Sequence, residues 1–338
     1  MGRTSRWDAT VGPLRVRLTL VGDLYNITNH TRFTGVGTIF GSASFGTVSG
    51  QGNSARDALV TPGRILGRGI VFATPTNRNL MGYPALDLNS KTAVIIGGTS
   101  GIGLTLAKGL ATAGANVVPS GRRRELVESA AAEIKTAGRG SLAITCDVAD
   151  RSSLQALLEA VCAQFGKVDI LVNCAGITQR TPILDMSESA WNAIMETNLN
   201  GSLRACQVFG RHMIERQYGR IINIGSLSST LGMYEVAAYA ASKAGIASLT
   251  KSLAVEWARY GVCVNALVPG IFRTNLNAAL LDGTPRGQEF LMRTPAARFG
   301  KLEELVGAAV FLASDAASFV TGHLLAVDGG ILASGVNR

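Results

Sequence analysis

The chain has 338 residues, 47% of them hydrophobic and 16% charged, enough apolar material for a sizeable core and too much for a chain disordered throughout. Its net charge of +9 is uneven: residues 1–83 hold nine arginines, no lysine and three aspartates, a net +6, against +3 for the rest, so the basicity does not mark the main domain as a nucleic-acid binder. No apolar run approaches the roughly 18 residues of a membrane span. The start, MGRTSRWDATVGPLRVRL, is interrupted by Arg and Gly wherever a secretory core would be apolar.

The five cysteines (146, 162, 174, 206 and 263) are odd in number and form no Cys-x-x-Cys, which argues against a disulfide framework or a zinc site and points to a reducing, cytoplasmic setting. Only three histidines occur, at 30, 212 and 323, scattered, so no metal site is expected.

Residues 1–83 are rich in Gly, Thr, Ser, Asn and Arg and show no sustained helical periodicity. Short β-like runs occur at 14–21, 38–40 and 68–73. Three readings stand: a poorly ordered extension, a small β-rich addition, or an upstream stretch removed from the mature protein. The first is the leading expectation.

From about Tyr83 the pattern changes. Strands are expected at 92–97, 116–120, 142–147, 169–173, 220–224, 263–268 and 323–327, with amphipathic stretches between them, such as Ile102, Leu106 and Leu110 at i, i+4, i+8. Near-continuous apolar strands alternating with helices predict an α/β, doubly wound parallel sheet of seven strands, a Rossmann-type domain over 84–338. Such sheets bind ligands at the carboxyl ends of their strands.

After the first of these strands comes Gly97-Gly98-Thr99-Ser100-Gly101-Ile102-Gly103. Glycines 97, 101 and 103 allow a tight turn and close backbone approach to a pyrophosphate, and the helix that follows offers unpaired N–H groups. A tight turn with no ligand is the plainer alternative. The second strand end reads Pro119-Ser120-Gly121-Arg122-Arg123-Arg124, with no carboxylate for a ribose 2′-hydroxyl and with room at Gly121 for a 2′-phosphate. Arg122 and Arg123 therefore point to NADP(H), with NAD(H) as the lesser choice. The alternative, a solvated helix start, sets cations against the helix dipole.

The strand at 220–224 leads into Ser226, and thirteen residues later comes Tyr239-Ala-Ala-Ser-Lys243. Tyr and Lys four apart share a helix face. An ordinary tyrosine is a poor base at neutral pH, and lowering its pKa by about three units needs about 4 kcal/mol from neighbouring charge. Ser226 can hold a substrate oxygen, so the set can move a proton while a cofactor moves a hydride.

In order and spacing, TSGIG, NCAG, Ser226 with Tyr239-x-x-x-Lys243, PG-x-x-x-T and the closing VDGG resemble the short-chain dehydrogenase/reductase family, from about Leu86 to the C-terminus. The resemblance implies Tyr239 as acid/base, Lys243 as the group that lowers its pKa and contacts the nicotinamide ribose, and Ser226 as the residue that orients substrate. It implies Asn198 holding a water in a proton relay. Thr99, Ser100 and Ile102 belong to the phosphate turn, Asp147 and Val148 to the adenine side, Asn173, Ala175 and Gly176 to the cofactor wall, and Pro269, Gly270 and Thr274 to the nicotinamide amide. Taken singly, each has a plainer role: Tyr239 and Lys243 a surface pair, Asn198 a helix-bending residue, Thr274 an N-cap. Ile96 stands where the family has Thr, and Cys174 where it has Asn. Both changes weaken side-chain bonds expected to tether the turns. The family also implies a homotetramer.

The stretch from Gly176 to Pro182 and the tail from Thr294 look most like gluconate 5-dehydrogenase-like members. Arg180 then becomes a candidate anchor for a substrate carboxylate, against a structural surface role. A 3-oxoacyl-[acyl-carrier-protein] reductase-like enzyme shares nearly all these motifs. A non-catalytic NADP(H)-binding sensor or scaffold would have no need for the Ser–Tyr–Lys spacing. The segment from Thr274 to Arg298, with Gly283, Pro285 and Gly287, has the composition of a mobile lid.

Overall fold

The computed structural model describes residues 4–11, 14–21, 83–274, 277–335 and 337. The chain divides into two units, 1–80 and 81–338. In the first, strands β1 (Thr4–Val11) and β2 (Leu14–Val21) pair antiparallel, from Thr4 opposite Val21 to Val11 opposite Leu14. The expected run at 14–21 is therefore a strand, and those at 38–40 and 68–73 lie outside the described residues.

The second unit is built on six parallel strands in the order β4-β3-β5-β6-β7-β8. These are β3 (Thr92–Ile96), β4 (Asn116–Ser120), β5 (Ile170–Asn173), β6 (Gly219–Ile224), β7 (Val262–Pro269) and β8 (Leu324–Val327). Helix α1 (Gly101–Thr112) carries the chain from β3 to β4, after which it runs through α2 (Arg124–Thr136) and α3 (Arg151–Phe165) to β5 on the other side of β3. The strand order reverses between β3 and β5, which opens a crevice at their carboxyl ends.

Alternation along the strands splits the core into two layers. Val94 and Ile96 pack with Leu154 and Leu157 of α3 and Phe209 and Met213 of α5 (Gly201–Glu215). Ala93 and Ile95 face Leu106 and Leu110 of α1 and Leu312 of α9 (Val306–Ala313) on the other side. Both sheet faces are thus covered, which explains the near-continuous apolar strands.

One expected strand is absent: residues 142–147 form no strand, so the sheet has six strands among the described residues rather than seven. The cause is Pro119. Odd-numbered residues of β4 face this segment, and Val117 N–H does reach Gly140 O at 2.9 Å. Pro119, next in that row, has no N–H to give. The segment is held instead by Ser120 Oγ donating to Ile144 O at 2.6 Å and by Cys146 N–H reaching Gly121 O at 2.9 Å.

The remaining helices are α4 (Glu188–Met195), α6 (Ala237–Trp257), α7 (Ala278–Leu281) and α8 (Pro285–Arg293). Between α4 and α5 one π-helical turn, Glu196–Asn200, interrupts a continuous helical path.

Candidate active site

The glycine turn sits at the carboxyl end of β3, where the crevice opens. Gly97 has φ +83°, and a Cβ there would lie 2.5 Å from Ala175 N, so this turn and the one after β5 touch through backbone. A Cβ on Gly103 would lie 2.0 Å from Gly97 O, which seats α1 directly against the turn. Gly101, by contrast, faces open space. Ser100 is the N-cap of α1 and its side chain makes no capping bond, so the first-turn N–H groups are left without that partner. Thr99 lies beside Gly121: a Cβ on Gly121 would stand 3.3 Å from Thr99 Oγ1.

At the end of β4, Arg122 and Arg123 are exposed and have no carboxylate partner among the described residues, whereas Arg124 pairs with Glu128 at 3.9 Å. The arginine that starts the helix is thus tied locally, and the two before it retain their full donor sets. Asp147 is half-buried, its Oδ1 accepting the Ala149 N–H at 3.0 Å, and Val148 beside it is buried. An uncapped first turn of α1, open space at Gly101 and two guanidinium groups beside Gly121 without carboxylate partners among the described residues fit a dinucleotide carrying a 2′-phosphate.

The proton-handling residues meet around α6. Lys243 is buried, and its Nζ donates to Ile224 O at 2.7 Å. It has no acidic partner among the described residues, so two of its three N–H donors are unspent. Nζ lies 5.6 Å from the centroid of the half-exposed Tyr239 ring. Ser226, just beyond β6, receives the Ser228 N–H on its Oγ at 3.1 Å, which fixes the hydroxyl's place. Ser229 Oγ donates to Lys243 O at 3.0 Å and binds this turn to α6.

Asn198 stands in the π-helical turn and is fully buried. Its Oδ1 accepts the Ile177 N–H at 2.8 Å; its Nδ2 donates to Ile177 O at 2.9 Å and to Ser242 Oγ at 3.0 Å. Ser242 Oγ in turn donates to Tyr239 O at 2.7 Å. The widened turn is what aims Asn198 out of the helix and at this cluster. Gly176 closes it: a Cβ there would lie 3.3 Å from Asn198 Oδ1 and 3.8 Å from Lys243 Nζ.

The other expected residues divide. Ala175 and Gly176 lie at the cleft, as just described. Pro269 ends β7, and Gly270 N–H reaches Val327 O at 2.9 Å. Among the described residues Thr274 makes no side-chain cap, Asn277 stands at the cap of α7, and the Thr274 N–H is held by Asn277 Oδ1 at 2.7 Å. Asn173 is drawn away from the cleft into a buried network. Its Nδ2 donates to Asn223 Oδ1 at 2.9 Å, and Asn223 Nδ2 donates to Thr250 Oγ1 at 3.0 Å. The amide nitrogen of Asn173 is thus spent on the sheet interior, while its buried Oδ1 has no hydrogen-bond partner among the described residues. Cys174 replaces a side-chain tether with a backbone one, its N–H on Ile96 O at 2.8 Å. Burial pushes its thiol up to about 11, against the pull of the Lys243 charge, so it is no nucleophile at neutral pH.

Arg180 is half-exposed and donates through Nε to Glu235. Sequence reasoning passed over Glu235, Ser242 and the Ile224 carbonyl. Glu235 carried one readable signal, its place four residues before Tyr239. The carbonyl carried none, because a backbone acceptor leaves no trace in residue type.

Two concavities lie elsewhere. One of about 620 Å³ runs over the outer faces of α1 and α2, where Lys108 pairs with Glu133. A smaller one of about 210 Å³ lies behind the β7 end, between Phe272, Arg298 and Asp328. Neither contains the Ser226, Tyr239 and Lys243 cluster.

Residues 97–332 match a family model described as enoyl-(acyl carrier protein) reductase. Gluconate 5-dehydrogenase of Gluconobacter oxydans (strain 621H) is 42% identical over 255 residues, 75% of this chain and the whole of that protein. The 5-keto-D-gluconate 5-reductase of Escherichia coli (strain K12) is 39% identical over 72% of this chain and 96% of that one. A crystal structure of a gluconate 5-dehydrogenase from Burkholderia cenocepacia J2315, in complex with NADP and tartrate, superposes with a TM-score of 0.72 at 42% identity, over 74% of this chain and 98% of that one.

Proposed function

The chain belongs to the short-chain dehydrogenase/reductase family, and on that premise we propose that it interconverts the alcohol and ketone of a sugar acid, of the gluconate/5-ketogluconate type. It is an NADP(H)-dependent oxidoreductase. The observation that carries the reading is the convergence of Ser226, Tyr239, Lys243 and Asn198 beside an uncapped, glycine-lined helix start.

The dinucleotide, when bound, supplies or accepts the hydride. The turn from Gly97 to Gly103 and the N–H groups of α1 would hold its phosphates, and Arg122 and Arg123 a 2′-phosphate. Lys243, with two donors unspent, would hold the nicotinamide ribose. Ser226 holds the substrate oxygen, and Tyr239 gives that oxygen a proton in reduction and takes it back in oxidation. Lys243 places its ammonium 5.6 Å from the centre of the phenol ring. Asn198 lies behind, bonded through Ser242 to the backbone of Tyr239. That position suits a residue that fixes the relay's geometry and holds its water.

Arg180 is the proposed anchor for the substrate carboxylate, by a charge-assisted bond. The catalytic domain is taken as 84–338, with 1–83 an extension. A homotetramer fits the exposed apolar side chains Val255 and Phe319, 83% and 102% exposed, and the free thiols fit a cytoplasmic setting. Among the described residues no helix is long and apolar enough to cross a membrane. Purified protein is expected to oxidise NADPH on addition of 5-keto-D-gluconate and to reduce NADP⁺ with D-gluconate. Tight NADPH binding without turnover of either would remove the sugar-acid assignment and leave the family.

A further inference from the structure

Two loops flank the cluster, one following β5 and one joining Ser226 to Tyr239, and they are tied to each other at a single place. Thr181 N–H donates to Glu235 O at 2.8 Å, and the Arg180 guanidinium pairs through Nε with the Glu235 carboxylate. Glu235 takes a left-handed backbone, φ +63°, which a residue with a long side chain adopts only when its surroundings hold it there. Its side chain is only 16% exposed, whereas that of Arg180 is 51% exposed. The Glu end of the pair is packed in and the Arg end faces outward. Four residues separate Glu235 from Tyr239, so their Cα atoms lie within about 15 Å of each other.

The detail that matters is which nitrogen is used. Glu235 accepts from Nε alone, and both terminal nitrogens of Arg180 are without partners among the described residues. A guanidinium binds a carboxylate best through two parallel N–H bonds from one edge. Glu235 holds one edge of the fork and leaves the terminal edge for a second carboxylate. An Arg side chain otherwise loses rotamer freedom on being fixed, and here much of that loss precedes binding.

We propose that Glu235 is a positioning residue for substrate specificity: it pre-orients Arg180 so that the terminal edge of the guanidinium receives the carboxylate of a sugar acid. The inference rests on the sugar-acid reading of the site. It also explains why a residue with no reason to prefer a left-handed backbone occupies that position. Its main chain clamps the neighbouring loop through Thr181, while its side chain sets the arginine.

The test is steady-state kinetics with two ketones that differ only at the anchored end. 5-Keto-D-gluconate carries a carboxylate where L-sorbose carries a CH2OH. Glu235→Gln keeps the acceptor oxygen, and KM for 5-keto-D-gluconate is expected to stay within about twofold of wild type. Glu235→Asp keeps the charge but withdraws the acceptor by one methylene. Asp also tolerates the left-handed backbone, so this variant is expected to fold. Its KM for the acid is expected to rise at least about fivefold, with kcat and the KM for L-sorbose changed less than about twofold. Arg180→Ala is expected to raise KM for the acid about tenfold or more, one charge-assisted bond, and adding Glu235→Asp to it is expected to change nothing further.

A fall in KM for the acid in both Glu235 variants would make Glu235 a mask over Arg180 and overturn the inference. No change in either variant, with Arg180→Ala still impaired, would overturn it too and leave Arg180 as anchor. An Arg180→Ala enzyme with unaltered KM for the acid would remove the anchor itself, and wild-type enzyme inactive on 5-keto-D-gluconate would remove the sugar-acid reading. Either takes the inference with it.

Discussion

Lys243 reaches past the first turn of α6 to the Ile224 carbonyl, 2.7 Å away, with its ammonium 5.6 Å from the ring centroid of Tyr239. The lysine is held from the strand side and the tyrosine from the helix side, so the distance between them is set by the packing of α6 on β6 rather than by a bond between the two side chains. Placed this way, the lysine makes no bond to the phenol and leaves its hydroxyl to the substrate.

Replacing Tyr239 by Phe therefore removes the proton donor while leaving the packing of α6 intact. The expected result is a kcat lower by about 10²–10⁴-fold, the range for loss of a positioned general acid or base. NADPH affinity, read by fluorescence titration, is expected to change little. An equal loss of cofactor affinity would show that the hydroxyl holds the dinucleotide rather than the proton.

Arg122 has no carboxylate partner among the described residues, so its removal orphans no charge there. Arg122→Ala is expected to raise KM for NADPH by about 10- to 100-fold, the worth of a hydrogen bond to a charged group, and to leave KM for NADH nearly unchanged. Parallel weakening toward both cofactors would place the 2′-phosphate elsewhere.

His212 gives a pH dependence of stability. Burial, reinforced by the neighbouring Arg216 charge, lowers its pKa from the usual 6.5. Its Nε2 accepts the Val168 N–H at 3.2 Å, which only a neutral ring can do. A depressed folded-state pKa means that the contribution is fully present above pH 6.5 and is lost as the pH falls below it, because the unfolded chain takes up the proton first. The Tm is thus expected to decline as the pH drops below 6.5, and His212→Gln is expected to flatten that part of the curve. An identical decline in the variant would assign the effect to other groups.

Much of this site was legible because its chemistry depends on residue types at fixed spacing. The glycines 97, 101 and 103, the Ser226, Tyr239 and Lys243 set, and the bare arginines after β4 sit at strand ends where the alternating pattern puts them. What escaped was set by backbone groups and by contacts between distant loops. The expected strand at 142–147 had a suitable apolar composition, but its pairing depends on a donor that Pro119 lacks, and strand patterning scores a segment without its neighbour. Asn173 occupies the expected turn, yet Asn223, 50 residues further on and itself held by Thr250, takes its amide nitrogen. Glu235 is seen only when the loop after β5 is brought beside it.

Reduction of a sugar-acid ketone with NADPH is tested by comparing two carbonyl substrates. The most direct measurement is kcat/KM for 5-keto-D-gluconate and for an acetoacetyl thioester, taken side by side on one preparation with NADPH as donor. Turnover of the sugar acid is expected, with a specificity constant at least about a hundredfold lower for the thioester, the discrimination expected when only one substrate carries a carboxylate for Arg180. Efficient turnover of the thioester with none of the sugar acid would contradict it, and would make the enzyme an acyl-thioester reductase with Arg180 and Glu235 as a surface pair.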